Sequence, residues 1–146
     1  SAQGIRISGD RNELGIYQAG TGNNVDMTRI SGNDNIFGLR QNGLGNTTTL
    51  TVSGNGNGGV GSFSGIAASV GGLTAGLLDQ DGTDNFAELR VSGNDNVFAS
   101  LQSGSGNEIF GTQSGNSNQA AISQIGDGNA TTLVQSGNGN NAGIMQ

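Results

Sequence analysis

Apolar residues in this chain alternate with polar or small residues over short segments. Each segment ends at a glycine that is followed three residues later by an asparagine. After Asn12, for example, every second position is Leu14, Ile16 and then Gln18. Strand side chains point alternately to the two faces, so the pattern predicts strands with one inward and one outward face. A helical period of 3.6 residues fits none of the segments.

The Gly-x-x-Asn turn occurs eleven times at a nearly constant spacing, with one interruption. Its asparagines are Asn12, Asn23, Asn35, Asn46, Asn57, Asn85, Asn96, Asn107, Asn118, Asn129 and Asn140. Glycine and asparagine both tolerate the left-handed backbone that tight turns need. Units of this kind bury their apolar face only by stacking on one another, so the repeat predicts a solenoid.

Twelve strands follow from the pattern, near 2–7, 13–18, 24–30, 36–41, 47–52, 75–80, 86–91, 97–102, 108–113, 119–124, 130–135 and 141–146. All six even-numbered strands end inward on glutamine, whereas the first four odd-numbered strands end on Ile or Val. The true period is therefore about 22 residues, with two strands per rung. We predict one all-β domain, 1–146: a two-sheet parallel β-solenoid of about six rungs, each a β-arch, in a cross-β arrangement.

Stacked identical amides can donate to and accept from one another along the stack, which satisfies polar groups that are otherwise buried. The predicted glutamine ladder is Gln18, Gln41, Gln80, Gln102, Gln113, Gln124, Gln135 and Gln146. The predicted asparagine ladder is Asn12, Asn23, Asn35, Asn46, Asn85, Asn96, Asn107, Asn118, Asn129 and Asn140. The predicted apolar core is Ile5, Ile7, Leu14, Ile16, Val25, Met27, Phe37, Leu39, Leu50, Val52, Leu78, Leu89, Val91, Phe98, Ile109, Ile122, Leu133 and Ile144.

Two irregularities interrupt the repeat. Residues 58–73 form an insertion within the third rung, which we interpret as a loop or side hairpin that leaves the turn, with Thr74 taking a corner position. One extra residue between Val25 and Ser31 predicts a β-bulge near Arg29.

Composition excludes several functions. The chain has 146 residues with 29 glycines, no proline, no cysteine and no histidine, and its net charge is −6. Thiolate and histidine chemistry are therefore absent, and we expect no enzyme, no cofactor and no metal site. The acidic balance disfavours nucleic acid, and no apolar run is long enough for membrane insertion. No signal peptide is visible, and the chain starts at the first position of a repeat, as a trimmed mature protein would.

The motif Gln-x-Gly-x-x-Asn, with an apolar residue two positions after the asparagine and often a glutamine six after it, resembles the repeat of the curlin family. The best copies are Gln102 to Asn107 running on to Gln113, and Gln124 to Asn129 running on to Gln135. The resemblance covers nearly the whole chain except 58–73. The family's repeat-opening serine is usually asparagine here, and the second glutamine is Ile or Val in the first four odd strands.

The resemblance implies a secreted subunit of extracellular amyloid fibres in a biofilm matrix, which serves adhesion and aggregation. It also implies export through an outer-membrane curli secretion pore and a minor curlin that nucleates growth, with this chain as the major subunit. Independently, two open ends without a capping segment predict head-to-tail self-polymerisation. The alternative is a monomeric β-solenoid that acts as an adhesin or binds calcium through turn carboxylates such as Asp79, Asp81 and Asp84.

Overall fold

A computed structural model of the chain describes residues 2–59 and 61–146; Ser1 and Val60, the latter inside the predicted insertion, lie outside the described residues. The elements are β1 (Ala2–Gln3), β2 (Arg6–Ser8), β3 (Glu13–Thr21), β4 (Asn24–Ser31), β5 (Ile36–Leu44), β6 (Thr47–Ser53), α1 (Gly65–Ser69), β7 (Leu77–Thr83), β8 (Phe86–Ser92), β9 (Val97–Ser105), β10 (Glu108–Ser114), β11 (Gln119–Ile125), β12 (Ala130–Ser136) and β13 (Asn141–Met145).

Successive strands alternate between two parallel sheets. Sheet I contains β1 and β2, both paired with β4, followed by β6, β8, β10 and β12. Sheet II has the order β3-β5-β7-β9-β11-β13. Equivalent residues pair in register about 22 positions apart, as Gln102 pairs with Gln124. The predicted two-sheet parallel β-solenoid of about six rungs is therefore confirmed.

The apolar core lies between the sheets, because every strand turns the same alternate positions inward. Its buried members include Val25, Ile30, Phe37, Leu39, Leu50, Val52, Leu78, Leu89, Val91, Phe98, Ile109 and Ile122, with Leu14, Leu133 and Ile144 partly buried against them. At the N-terminal end Ile5, Ile7 and Ile16 remain exposed, because no strand of the described chain packs on that side of them.

Met27 is not a core residue, so its predicted place was wrong. The bulge falls between Asp26 and Arg29. Met27 has φ +42° and is 50% exposed, and the next residue, Thr28, turns inward instead. The Thr28 hydroxyl is buried without a partner in the described structure. The first rung follows the same irregular path, which is why the predicted first strand is split into β1 and β2 around Gly4.

The insertion differs from the predicted loop or hairpin in both position and form. Asn57 remains the corner residue, and Gly58 makes a parallel bridge to Ile36. The strand resumes at Gly76, whose carbonyl accepts a hydrogen bond from the Gly38 N–H. The excursion is therefore residues 59–75, and it leaves from within a strand rather than from a turn. It contains the helix α1, and Thr74 is exposed instead of holding a corner.

The excursion runs over the outward face of sheet II towards the C-terminal end. The amides of Gln119 and Asn141 bind it: Gln119 Oε1 accepts from Ser64 N at 2.7 Å, and Asn141 Oδ1 accepts from Ala67 N at 2.6 Å. Outward residues of β9 and β11 that a bare solenoid would expose, Ala99, Ala121 and Ser123, are buried. Strand alternation by itself predicts that Ser123 faces solvent, and this prediction is wrong.

Candidate functional site

The inward glutamines of sheet II form one continuous amide ladder through all six rungs. Each Nε2 donates to the Oε1 of the next glutamine towards the C-terminal end. The five donor–acceptor distances are 2.7, 2.9, 2.9, 3.1 and 3.0 Å from Gln18 through Gln41, Gln80, Gln102 and Gln124 to Gln146. The glutamine carbonyls consequently all point towards the N-terminal end.

The same side chains also tie the two sheets together across the core. Gln80 Nε2 donates to the Thr47 carbonyl at 3.0 Å, and Gln102 Nε2 donates to the Phe86 carbonyl at 2.9 Å. Both acceptors belong to strands of sheet I. A buried primary amide has two N–H groups and needs two acceptors, and this geometry supplies both.

Sheet I carries a shorter ladder. Gln113 Nε2 donates to Gln135 Oε1 at 2.9 Å and to the Val97 carbonyl at 3.1 Å. Its own Oε1 is buried and has no partner in the described structure. The reason is the residue one rung before it, Val91, which has no amide to donate.

The corner asparagines form two further columns, one at each end of the strands. One column contains Asn12, Asn35, Asn57, Asn96, Asn118 and Asn140, and the other contains Asn23, Asn46, Asn85, Asn107 and Asn129. Backbone N–H and Nδ2 of each asparagine donate to the Oδ1 of the preceding rung, as Asn118 does to Asn96 at 3.0 Å. These carbonyls therefore point towards the C-terminal end, opposite to the glutamines. Asn57 belongs to a column, although the predicted ladder omitted it.

A third asparagine column, on the exposed surface of the turns, was missed. It runs from Asn33 through Asn55, Asn94 and Asn116 to Asn138, and Asp10 N donates to its first member at 2.8 Å. Each member lies two residues before a corner asparagine, so the repeated Gly-Asn-x-Asn was the available signal. The Nδ2 donors here point towards the C-terminal end, as in the glutamine ladder.

The turn glycines are required by close backbone approach between rungs. Gly54 has φ +117°, and a Cβ there would lie 1.8 Å from the Gly93 carbonyl oxygen. Any side chain would break the contact between consecutive turns, and the positive φ disfavours it further. The glycine therefore permits consecutive turns to approach as closely as the hydrogen-bonded strands do, and the amide columns form at that spacing.

Two carboxylates, those of Asp34 and Asp79, pair with arginine side chains. Arg11 donates to Asp34 at 2.6 and 2.8 Å, and this hydrogen-bonded pairing lowers the pKa of Asp34 below its ordinary value. Asp79 pairs with Arg40 at 2.9 Å. Residues 2–59 and 61–146 contain no group of three acidic residues that could hold a metal ion.

The two ends of the stack are the remaining candidate site. At the C-terminal end β12 and β13 are the outermost strands, and at the N-terminal end they are β1, β2 and β3. Within the described chain no strand pairs with the outer edges of β3, β12 or β13. In sheet II both ends thus present a strand edge, an amide column and inward apolar residues in the register of the interior rungs.

The described part of the chain contains no helix long and apolar enough to cross a membrane. No protein-family model matches this sequence, and no curated protein matches it either.

Proposed function

We propose that this chain is a structural protein that polymerises head to tail into cross-β fibres. The observation that carries the proposal is the complementarity of the two ends. The glutamine and asparagine columns have a fixed direction, so a C-terminal end meets an N-terminal end as one interior rung meets the next. Contacts of this kind do not close on themselves, and they generate a filament.

In sheet II the joint would repeat an interior contact. Strand β13 of one copy would lie beside β3 of the next, with Ile144 against Ile16 and Gln146 against Gln18. Ile16 is exposed and Ile144 only half-buried in the single chain, so both gain burial. Full burial of such a side chain contributes about 1.5–3 kcal/mol, in addition to the new strand hydrogen bonds.

The turns add polar complementarity. In interior rungs the backbone N–H of one exposed asparagine donates to the side-chain oxygen of the next, as Asn116 does to Asn138 at 2.9 Å. The residue that would follow Asn138 across a joint is Asp10 of the next copy, whose carboxylate accepts hydrogen bonds. The corner column continues likewise, because Asn12 of the next copy would donate to Asn140.

Sheet I fits less well at the joint. Strand β12 is regular, whereas β1 and β2 carry the extra residue of the bulged path around Gly4. Bulges at sheet edges hinder pairing with other chains. We infer that sheet II forms the joint first and that sheet I closes afterwards.

The resemblance to curlins extends the proposal to biology. In that interpretation the fibre is extracellular, belongs to a biofilm matrix and serves adhesion and aggregation. The monomer leaves the cell through an outer-membrane secretion pore, and a minor curlin nucleates growth. The repeat itself, Gln-x-Gly-x-x-Asn at a nearly constant spacing, supports this assignment.

Seeded growth tests the polymerisation. We expect wild-type monomer to elongate wild-type seeds into fibres with a meridional reflection near 4.7–4.8 Å. Monomer truncated to 1–140 lacks β13 and should elongate far more slowly. Ile144→Asp should also slow growth, by roughly 30-fold or more, because it removes apolar burial and places a charge in the joint.

An exposed residue outside the joint supplies the control. Leu44 is 52% exposed at a turn of the second rung, so Leu44→Asp keeps its charge in water and should leave elongation within a few-fold of wild type. A wild-type chain that stays monomeric by light scattering would refute the proposal and favour the monomeric adhesin. Equal rates for the truncated and full-length monomers would show that subunits do not join through these ends.

A further inference from the structure

An apolar groove lies on the outward face of sheet II near the N-terminal end. Gly15 and Gly38 form its floor, and Tyr17, Arg40 and Leu77 are among the residues that line it. Its volume is about 340 Å³. Tyr17 is 60% exposed, which leaves a large aromatic surface open beside two residues without side chains.

The same row of the sheet is already occupied at the other end of the molecule. Strand pairing places Gly15 and Gly38 in one row with Ala99, Ala121 and Gly143. The helix α1 lies on the C-terminal part of this row. A Cβ at Gly143 would be 2.4 Å from the Ile66 carbonyl oxygen, so the helix backbone rests directly on the sheet. This row therefore accepts a helix wherever its side chains are small.

The helix also reaches past the last strand. It contacts β13 more extensively than β11, so its centre lies towards the outermost strand. A helix with its side chains is about 10 Å wide, which equals roughly two strand spacings. Part of α1 therefore projects beyond the strand edge, and the side chain of Ile66 is 61% exposed.

We propose that α1 of one copy docks in the groove of the next copy and so spans the joint between them. This inference rests on the proposed head-to-tail polymerisation. In that joint β3 follows β13, so Gly15 follows Gly143 in the same row. The projecting helix would then cover Gly15 and bring Ile66 against Tyr17. The excursion of residues 59–75 thereby becomes an interaction surface whose partner is a second copy of this chain.

A double-mutant cycle across the joint tests the contact. Ile66→Ser and Tyr17→Ser each remove an exposed apolar side chain, so neither should change the urea midpoint of the monomer. Burial of one such side chain corresponds to about tenfold in an equilibrium constant or more, and we expect each variant to slow elongation of its own seeds about tenfold. Because the proposed docking acts through the contact between these two residues, the double variant should elongate about as slowly as either single one.

Leu44→Ser is the matched control, since Leu44 is similarly exposed at a turn of the second rung, away from both ends. It should elongate at the wild-type rate. Elongation at the wild-type rate by both single variants would overturn the proposed docking of α1 but would leave the proposed polymerisation standing. A double variant slowed by the product of the single effects would also overturn the proposed docking. Failure of the wild-type chain to form fibres would instead refute the proposed function.

Discussion

Replacing Gln102 by leucine measures what the glutamine ladder contributes. Gln102 is fully buried, and its amide makes three hydrogen bonds. It accepts from Gln80 at 2.9 Å and donates to Gln124 at 3.1 Å and to the Phe86 carbonyl at 2.9 Å. Leucine has a similar volume, so Gln102→Leu removes these bonds without opening a large cavity.

The cost follows from the groups left behind. Gln124 Oε1 and the Phe86 carbonyl lose the donor that Gln102 supplied, and one N–H of Gln80 loses its acceptor. A buried polar group without its partner costs about 1–3 kcal/mol, whereas the more apolar leucine recovers about 1 kcal/mol. We therefore expect Gln102→Leu to lower the free energy of unfolding by about 3 kcal/mol.

Gln113→Leu is the matched comparison in sheet I. Gln113 is equally buried and also donates two hydrogen bonds, but its Oε1 already lacks a partner. Leucine removes this unsatisfied oxygen, so the variant should lose about 1–3 kcal/mol less than Gln102→Leu. Urea unfolding of dilute, freshly prepared monomer gives both values if the m value is unchanged. Equal losses, or a larger loss for Gln113→Leu, would refute the assignment of stability to amide pairing.

Three further predictions concern the turns and the excursion. Gly56→Asp would place a carboxylate between aspartates of both neighbouring rungs, with about 1 kcal/mol of repulsion in water between each pair of carboxylates. This variant should slow assembly most at low salt, whereas the uncharged Gly56→Asn should not show that salt dependence. Deleting 59–75 should preserve the corner and the strand register and still give fibres with the same cross-β spacing, although the monomer becomes less stable. Deleting 58–73 instead leaves one residue too many, so the following strand would turn its inward side chains outward. Circular dichroism and fibre diffraction would reveal the difference between the two deletions. Arg11→Ala should raise the pKa of Asp34 towards its ordinary value, because the ion pair lowers that pKa in the folded state. The stability that the ion pair contributes is present above the unfolded-state pKa of Asp34 and is lost as pH falls through the lowered folded-state pKa. An unchanged NMR titration of Asp34 in the variant would contradict this.

The regular rungs were predictable because an in-register parallel stack turns sequence separation into spatial contact. Once the repeat of two turns per rung was recognised, Gln80, Gln102 and Gln124 had to lie one above another. Alternation by two then assigned the inward face, and nearly all predicted core residues of the interior rungs are buried. No long-range information beyond the period was needed for this part of the fold.

Alternation failed where the backbone left the regular strand. The step from Gly20 to Gly32 is one residue longer than the steps on either side of it, but a bulge can lie at any position between two turns. Its actual place exposes Met27 and buries Thr28, which side-chain polarity would not suggest. Local propensity does not decide the outcome here, because the neighbouring strands fix the pairing on both sides of the bulge.

The excursion could not be placed from sequence because its contacts are distant. Ser64 and Ala67 bind Gln119 and Asn141, which lie far along the chain in the last two strands of sheet II. The small outward residues Ala99, Ala121 and Gly143 were the local sign that something covers that face. Small residues on a strand surface are also common without a covering segment, so they did not identify the helix.

The opposed directions of the amide columns have an electrostatic consequence for a long polymer. Glutamine carbonyls point towards the N-terminal end, and the carbonyls of the two corner columns point towards the C-terminal end. Each column alone would sum its side-chain dipoles along the axis, as a helix sums its peptide dipoles. Because the columns oppose one another, much of this dipole cancels within every rung. The amide columns therefore place little net partial charge at the two fibre tips, so an incoming subunit meets no strong amide field at either tip.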